Sequence, residues 1–156
     1  MLVQDLNTFK LPKNFRGRNA FIVQLWWLVQ AILFRTSPQF LYGWRVFLLR
    51  LFGAKIGKGV IIKPHVSIKY PWRLVIGNHV WIGENVILDA SGGLQIGAHT
   101  TIAAGALVWT HSSVLANLEL DNRSGNKWIV RKPTKIGTGC YIGGPSSIYP
   151  GVIIGD

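Results

Sequence analysis

The stretch IGNHVWIGENVILDASGGLQIGAHTTIAAGALV, residues 76–108, decides the fold. It carries aliphatic residues at Ile76, Ile82, Leu88, Ile96, Ile102 and Val108, six apart except for one step of eight. Working outward, the same series runs back through Ile68, Ile62 and Ile56, and forward through Ile136, Ile142, Ile148 and Ile154. Glycine follows the aliphatic at Gly57, Gly77, Gly83, Gly97, Gly137, Gly143 and Gly155. Four places after the aliphatic comes a small or β-branched residue, as at Val60, Val66, Val80, Val86, Thr100, Ala106, Cys140, Ser146 and Val152. Three short strands per turn make a triangular coil of about eighteen residues, with the aliphatic filling the interior and the small residue at a tight inner site. Glycine is expected to relieve the bend near each corner. Stacked coils then bury one continuous core that a single coil could not bury alone.

The register also locates insertions. From Ile56 to Ile76 is 20 residues, two more than one coil, with the extra at Tyr70–Trp72. From Ile76 to Ile96 is again 20, with the extra near Ser91–Gly93. From Ile96 to Ile136 is 40, an excess of 22, which predicts a long polar loop over residues 109–135. A loop of that length in a compact domain is commonly functional or disordered.

Ahead of the repeat, residues 1–55 read as a basic, apolar helical segment. Asn19 is placed to cap a helix through FIVQLWWLVQAILF, residues 21–34, whose polar residues Gln24 and Gln30 do not share a face. Such a helix belongs in a core or in lipid, and its rise of roughly 21 Å is short of a roughly 30 Å hydrocarbon layer. For a second helix, Ser37 is the expected cap, Pro38 the first position and Gly53 the end. Its aromatics, with Arg45 and Arg50 directed to lipid phosphate, suit a membrane headgroup region; the alternative is packing on the solenoid or on a neighbouring subunit.

Charge agrees with an anionic partner. Residues 1–73 hold twelve Lys/Arg against the single acid Asp5, whereas residues 74–156 balance five against five. The basic residues are interleaved with buried-type aliphatics, which argues against nucleic acid and for a membrane surface. One cysteine forms no intramolecular disulfide, and the N-terminus lacks a cleavable apolar leader. A cytoplasmic protein, peripheral on the inner face of the membrane, is the expected location.

The I-G-x-x-V-x repeats and the run GCYIGGPSSIYPGVIIGD resemble hexapeptide-repeat acyltransferases, whose fold is a left-handed parallel β-helix. With NFRGRNAFIVQLWWLVQAILFRTSPQFLYGWRVFLLRLFGAKIGKGV, residues 14–60, the chain most resembles colanic acid biosynthesis acetyltransferases. The resemblance implies a homotrimer that transfers acetyl from acetyl-CoA to a sugar hydroxyl, at sites between neighbouring subunits and without a metal. It places the histidine base at His111, where a neutral imidazole would take the hydroxyl proton. For the cofactor it points to Tyr141, Gly143 and Gly144, as a flat side chain and open backbone beside the pantetheine arm. Cys140 falls on the small inner site and reads as core.

The chain departs from the family pattern twice. Ser112 follows the histidine where relatives have an acidic residue or proline, so the orienting carboxylate comes from Asp89, Glu84, Glu119 or Asp121, without a choice among them. The repeat stops in mid-coil at Ile154-Gly155-Asp156, so a C-terminally truncated β-helix over residues 56–156 is expected. Two other readings share the fold. One is a β-helix scaffold that assembles at the membrane without full catalysis. The other is a γ-carbonic-anhydrase-like zinc enzyme using histidines among His65, His79, His99 and His111, of which His79 and His99 share a repeat position on successive coils.

Overall fold

The computed structural model describes Leu11, residues 14–113 and residues 129–156. The chain starts with helix α1, Ala20–Val29, capped as expected by Asn19, whose side chain accepts from the Ile22 N–H at 2.9 Å. It continues into a π-helical turn, Gln30–Phe34. Helix α2, Tyr42–Leu51, begins later than the sequence predicts. Ser37 Oγ donates to the Phe34 carbonyl at 2.7 Å instead of capping, and residues 38–41 form a turn. The cause is Arg45, which donates to the carbonyls of Ser37 at 2.6 Å and Pro38 at 2.7 Å and holds them out of the helix. Gly53 ends α2 at φ +93°, a conformation that glycine adopts without strain.

From Lys55 the chain winds into a three-faced parallel β-helix. The first face stacks Lys55–Ile56, Leu74–Ile76, Leu94–Ile96, Thr134–Ile136 and Ile153–Ile154. The second stacks Ile61–Ile62, Trp81–Ile82, Thr101–Ile102 and Tyr141–Ile142. The third stacks Ser67–Lys69, Ile87–Asp89, Leu107–Val108 and Ser147–Ile148. The repeat register is the strand register: Ile56 pairs with Ile76, Ile76 with Ile96, Ile96 with Ile136 and Ile136 with Ile154. Ile62, Ile68, Ile82, Leu88, Ile102, Val108 and Ile136 have no accessible surface, so the six-residue series forms the core.

The glycines have a different cause from the one expected. The bend is made three places after the aliphatic, where His65, His79, Asn85, His99 and Gly105 are left-handed. At Gly57, Gly77, Gly83, Gly97 and Gly137 the glycine directly after the aliphatic is there because the next coil lies against it. A Cβ on Gly97 would sit 2.4 Å from the Gly137 carbonyl carbon and oxygen.

Both short insertions fall at corners. Tyr70, at φ +57°, leads into a 3-10 turn, Pro71–Arg73, and residues 91–93 form a turn that ends at Gly93 with φ +98°. The long excursion is not irregular at its root. His111–Ser113 pairs antiparallel with Ile129–Arg131, setting His111 opposite Arg131.

The helices close the first coil. Arg50 donates to the carbonyls of Ile56 and Gly57, each at 2.8 Å, Arg45 to Ile62 at 2.9 Å, and Trp26 Nε1 to Ile68 at 2.8 Å. Gln30 accepts from the Ile68 N–H at 2.6 Å. Each face therefore has an edge carbonyl satisfied by a helix side chain, which blunts edges that would otherwise pair with another chain. This corrects the expectation that Arg45 reaches lipid phosphate, because Arg45 has no accessible surface and its guanidinium is held by backbone carbonyls. The outer sides of the helices are apolar and bare, with Phe21, Leu28, Ile32, Phe40, Phe47 and Leu51 all more than half exposed. No helix among the described residues is long and apolar enough to cross a membrane.

Candidate active site

His111 lies where the chain leaves the third face, in the first strand of the excursion's stem. One coil earlier, Asp89 ends its strand of that face with no accessible surface. His111 Nδ1 stands 3.1 Å from Asp89 Oδ2 and 3.1 Å from Ser91 Oγ. Asp89 Oδ1 accepts from the Ser91 N–H at 2.9 Å. Oδ2 receives no well-directed hydrogen bond. Its closest donor groups are the His111 ring nitrogen and Lys69 Nζ, the latter at 3.8 Å. Thr110 fixes the arrangement from below, donating to the Asp89 carbonyl at 2.8 Å and accepting from the Gly92 N–H at 2.7 Å.

Burial pushes the Asp89 carboxyl upward. The close approach of the His111 ring nitrogen, with the Ser91 hydroxyl and N–H, outweighs it and holds the group below the usual carboxylate range. A buried carboxylate at Nδ1 retains the proton there and leaves Nε2 as the ring's acceptor. Phe15 and Trp109 wall the ring edge-on, at centroid distances of 5.8 Å and 6.2 Å. A half-buried imidazole so oriented is equipped to receive a proton from a group arriving at its open edge.

Of the four carboxylates the sequence leaves open, the fold brings Asp89 to His111. Glu84 lies on another face, beside Tyr141, while Glu119 and Asp121 lie outside the described residues. Tyr141 is 73% exposed on the second face and lines a cleft of about 300 Å³ with Lys63, Trp81 and Thr101. A Cβ on Gly143 would meet nothing within 4 Å, so its backbone is open. Gly144 is different, because a Cβ there would lie 2.0 Å from the Ala104 carbonyl oxygen, which makes glycine a stacking requirement. Tyr141 and His111 thus occupy different parts of the chain's surface. Cys140 packs against the core as expected.

Sequence reasoning missed Ser91 and Thr110. Their signal was the two-residue surplus near Ser91, which places a turn directly beside the root of the excursion. The histidine pair is real as a stack, with ring centroids of His79 and His99 5.2 Å apart. Among the described residues, no three metal-ligating side chains gather to hold an ion.

No protein-family model matches the chain. It is 48% identical over 154 residues to proteins of Escherichia coli (strain K12) and Shigella flexneri named as the colanic acid biosynthesis acetyltransferase WcaF, a span of 99% of this chain and 81% of each relative. It is 31% identical over 112 residues to nodulation protein L of Rhizobium meliloti (strain 1021), covering 70% of this chain and 57% of that one. Among solved structures it resembles a mutant of AntD, an N-acyltransferase from Bacillus cereus, in complex with dTDP and coenzyme A. The TM-score is 0.53 at 19% identity over 72% of each chain, a likeness of fold. Fold and kinship together define an acetyltransferase built on a parallel β-helix. The chain belongs to the family of colanic acid biosynthesis acetyltransferases.

Proposed function

We propose that the protein transfers acetyl from acetyl-CoA to a sugar hydroxyl in exopolysaccharide biosynthesis, with His111 as general base. The observation that carries this reading is the 3.1 Å approach of His111 Nδ1 to the buried Asp89 carboxylate. His111 Nε2 takes the proton of the sugar hydroxyl as its oxygen attacks the thioester carbonyl. The tetrahedral intermediate expels the CoA thiolate, which recovers the proton from the imidazolium; the products are the sugar acetate and free CoA. Asp89 keeps the transient imidazolium favourable, as a positioning and charge-balancing residue.

Tyr141, Gly143 and Gly144 are the residues we assign to the acetyl-CoA arm. The exposed ring of Tyr141 and the open backbone at Gly143 support that assignment. Because they stand apart from His111 on one chain, the reading includes a homotrimer in which a neighbour's Tyr141 side completes each site. Thiol release with acetyl-CoA and a panel of sugars tests the chemistry. His111→Ala should lose at least about 100-fold in kcat, and equal release by wild type and His111→Ala would overturn the assignment. Mixing His111→Ala with Tyr141→Ala chains tests the assembly. Recovery of activity in the mixture is expected, and two variants that stay inactive together remove the shared site.

We place the enzyme peripherally on an anionic membrane surface, at the inner face. Three observations support this: the bare apolar base, the exposed Arg18, Arg35 and Lys55 in the same half of the chain, and the absence of any Asp or Glu in residues 14–83.

A further inference from the structure

A cavity of about 510 Å³ opens beside Ser91, lined by Arg73, Ser91, Gly92, Gly93 and Arg131. Its wall includes the serine that touches His111, so it adjoins the candidate base. Residues directly opposed in an antiparallel pair project to the same side of the ribbon, and His111 opposes Arg131. Both side chains pack on Phe15: the His111 ring lies 5.8 Å from its centroid and the Arg131 Cζ 5.1 Å from it. The imidazole and the guanidinium are therefore neighbours across a single aromatic ring.

Arg73 enters from the corner below. It donates to the carbonyls of Phe15 at 3.0 Å and Asn14 at 2.9 Å, and to that of Ser91. Those partners are neutral. Among the described residues no carboxylate lies within 4.0 Å of Arg16, Arg73 or Arg131, and the nearby Asp89 is occupied by His111 and Lys69. Burial, and then the like charge of Arg131, push the Arg73 guanidinium below its ordinary value. Two like charges held together beside a cavity, with only carbonyls for company, are relieved by an anion.

We propose that Arg73 and Arg131 form a seat for an anionic group on the acceptor sugar, a phosphate or a carboxylate. This rests on the reading of His111 as the base: the sugar's charged substituent sits in the arginine cavity while a free hydroxyl reaches Nε2. The seat selects acidic sugars over neutral ones, and Arg131 is the specificity residue because it shares a ribbon face with the imidazole.

The test starts without catalysis. Thermal melts of the full chain are recorded with glucose 1-phosphate, glucuronate and glucose, in the absence of acetyl-CoA. At least one anionic sugar should raise Tm where glucose does not, and which one does so identifies the group as phosphate or carboxylate. Arg131→Gln should abolish the rise and Arg131→Lys should retain part of it. If Arg131→Gln fails to fold, the loss of the rise at high salt in wild type takes its place. In turnover, Arg131→Gln should raise KM for the anionic sugar about tenfold to a hundredfold and leave KM for acetyl-CoA unchanged. Equal protection by glucose and both anions would overturn the seat. So would an Arg131→Gln effect confined to acetyl-CoA, since the arginines would then hold the phosphates of the donor. His111→Ala separates the two ideas: if it keeps wild-type turnover the base assignment fails, while the melts still decide the anion seat.

Discussion

Asp89 divides its work between two oxygens, one held by the Ser91 N–H and the other turned to His111. A buried carboxylate held below its ordinary range stabilises the fold above the unfolded-state value of about 3.9, and that contribution is lost as pH falls through the folded value. Asp89→Asn should therefore be less stable than wild type at pH 7 in urea unfolding, with the gap closing below about pH 4. A gap that is constant with pH would mean that the carboxylate's charge carries none of the effect. The same variant should lower kcat by about 100-fold or more, since the carboxylate sets the tautomer of the ring. His111 was singled out by the family resemblance, which sets a histidine at the entrance to the long loop that the register locates. Asp89 stayed one candidate among four because its meeting with His111 depends on how one coil stacks on the next. Spacing along the chain does not report that.

At the level of the coil, glycines that look alike in the repeat face unlike surroundings. Gly97→Ala would drive a Cβ into the Gly137 backbone, and neither strand can yield without opening the ladder. A cost of about 2–3 kcal/mol in denaturant unfolding is expected. Gly143→Ala meets nothing within 4 Å and should be neutral to within about 1 kcal/mol. Its effect should instead appear as a raised KM for acetyl-CoA, if the backbone there lies under the pantetheine arm. Equal destabilisation by the two would mean that glycine serves the bend and not the stacking. The register of the strands was readable to the residue, since Ile76, Ile96 and Ile136 recur in the pairing as they do in the chain. The start of α2 was not. A Ser-Pro pair signals a cap by local preference, but Arg45, seven residues on, claims the Pro38 carbonyl for a tertiary contact.

On the scale of the molecule, the charge asymmetry and the helix faces converge on the base of the solenoid. In flotation the protein should rise with anionic vesicles at low salt, less so at about 0.5 M salt, where charges are screened within a few ångströms. Phe21→Asp with Phe47→Asp should cut vesicle binding at least tenfold and leave acetylation of a soluble sugar intact, because both residues face away from the core. Failure of wild type to rise with anionic vesicles at low salt would end the membrane assignment. The base has one more consequence. Three faces built from one recurring hexapeptide are nearly interchangeable, so the chain could wind with any repeat on any face, a threefold ambiguity of phase. Ile56, Ile62 and Ile68 answer to three different groups, Arg50, Arg45 and the Trp26–Gln30 pair. Those groups act as a key that admits one rotation, and every later coil inherits its phase from the first.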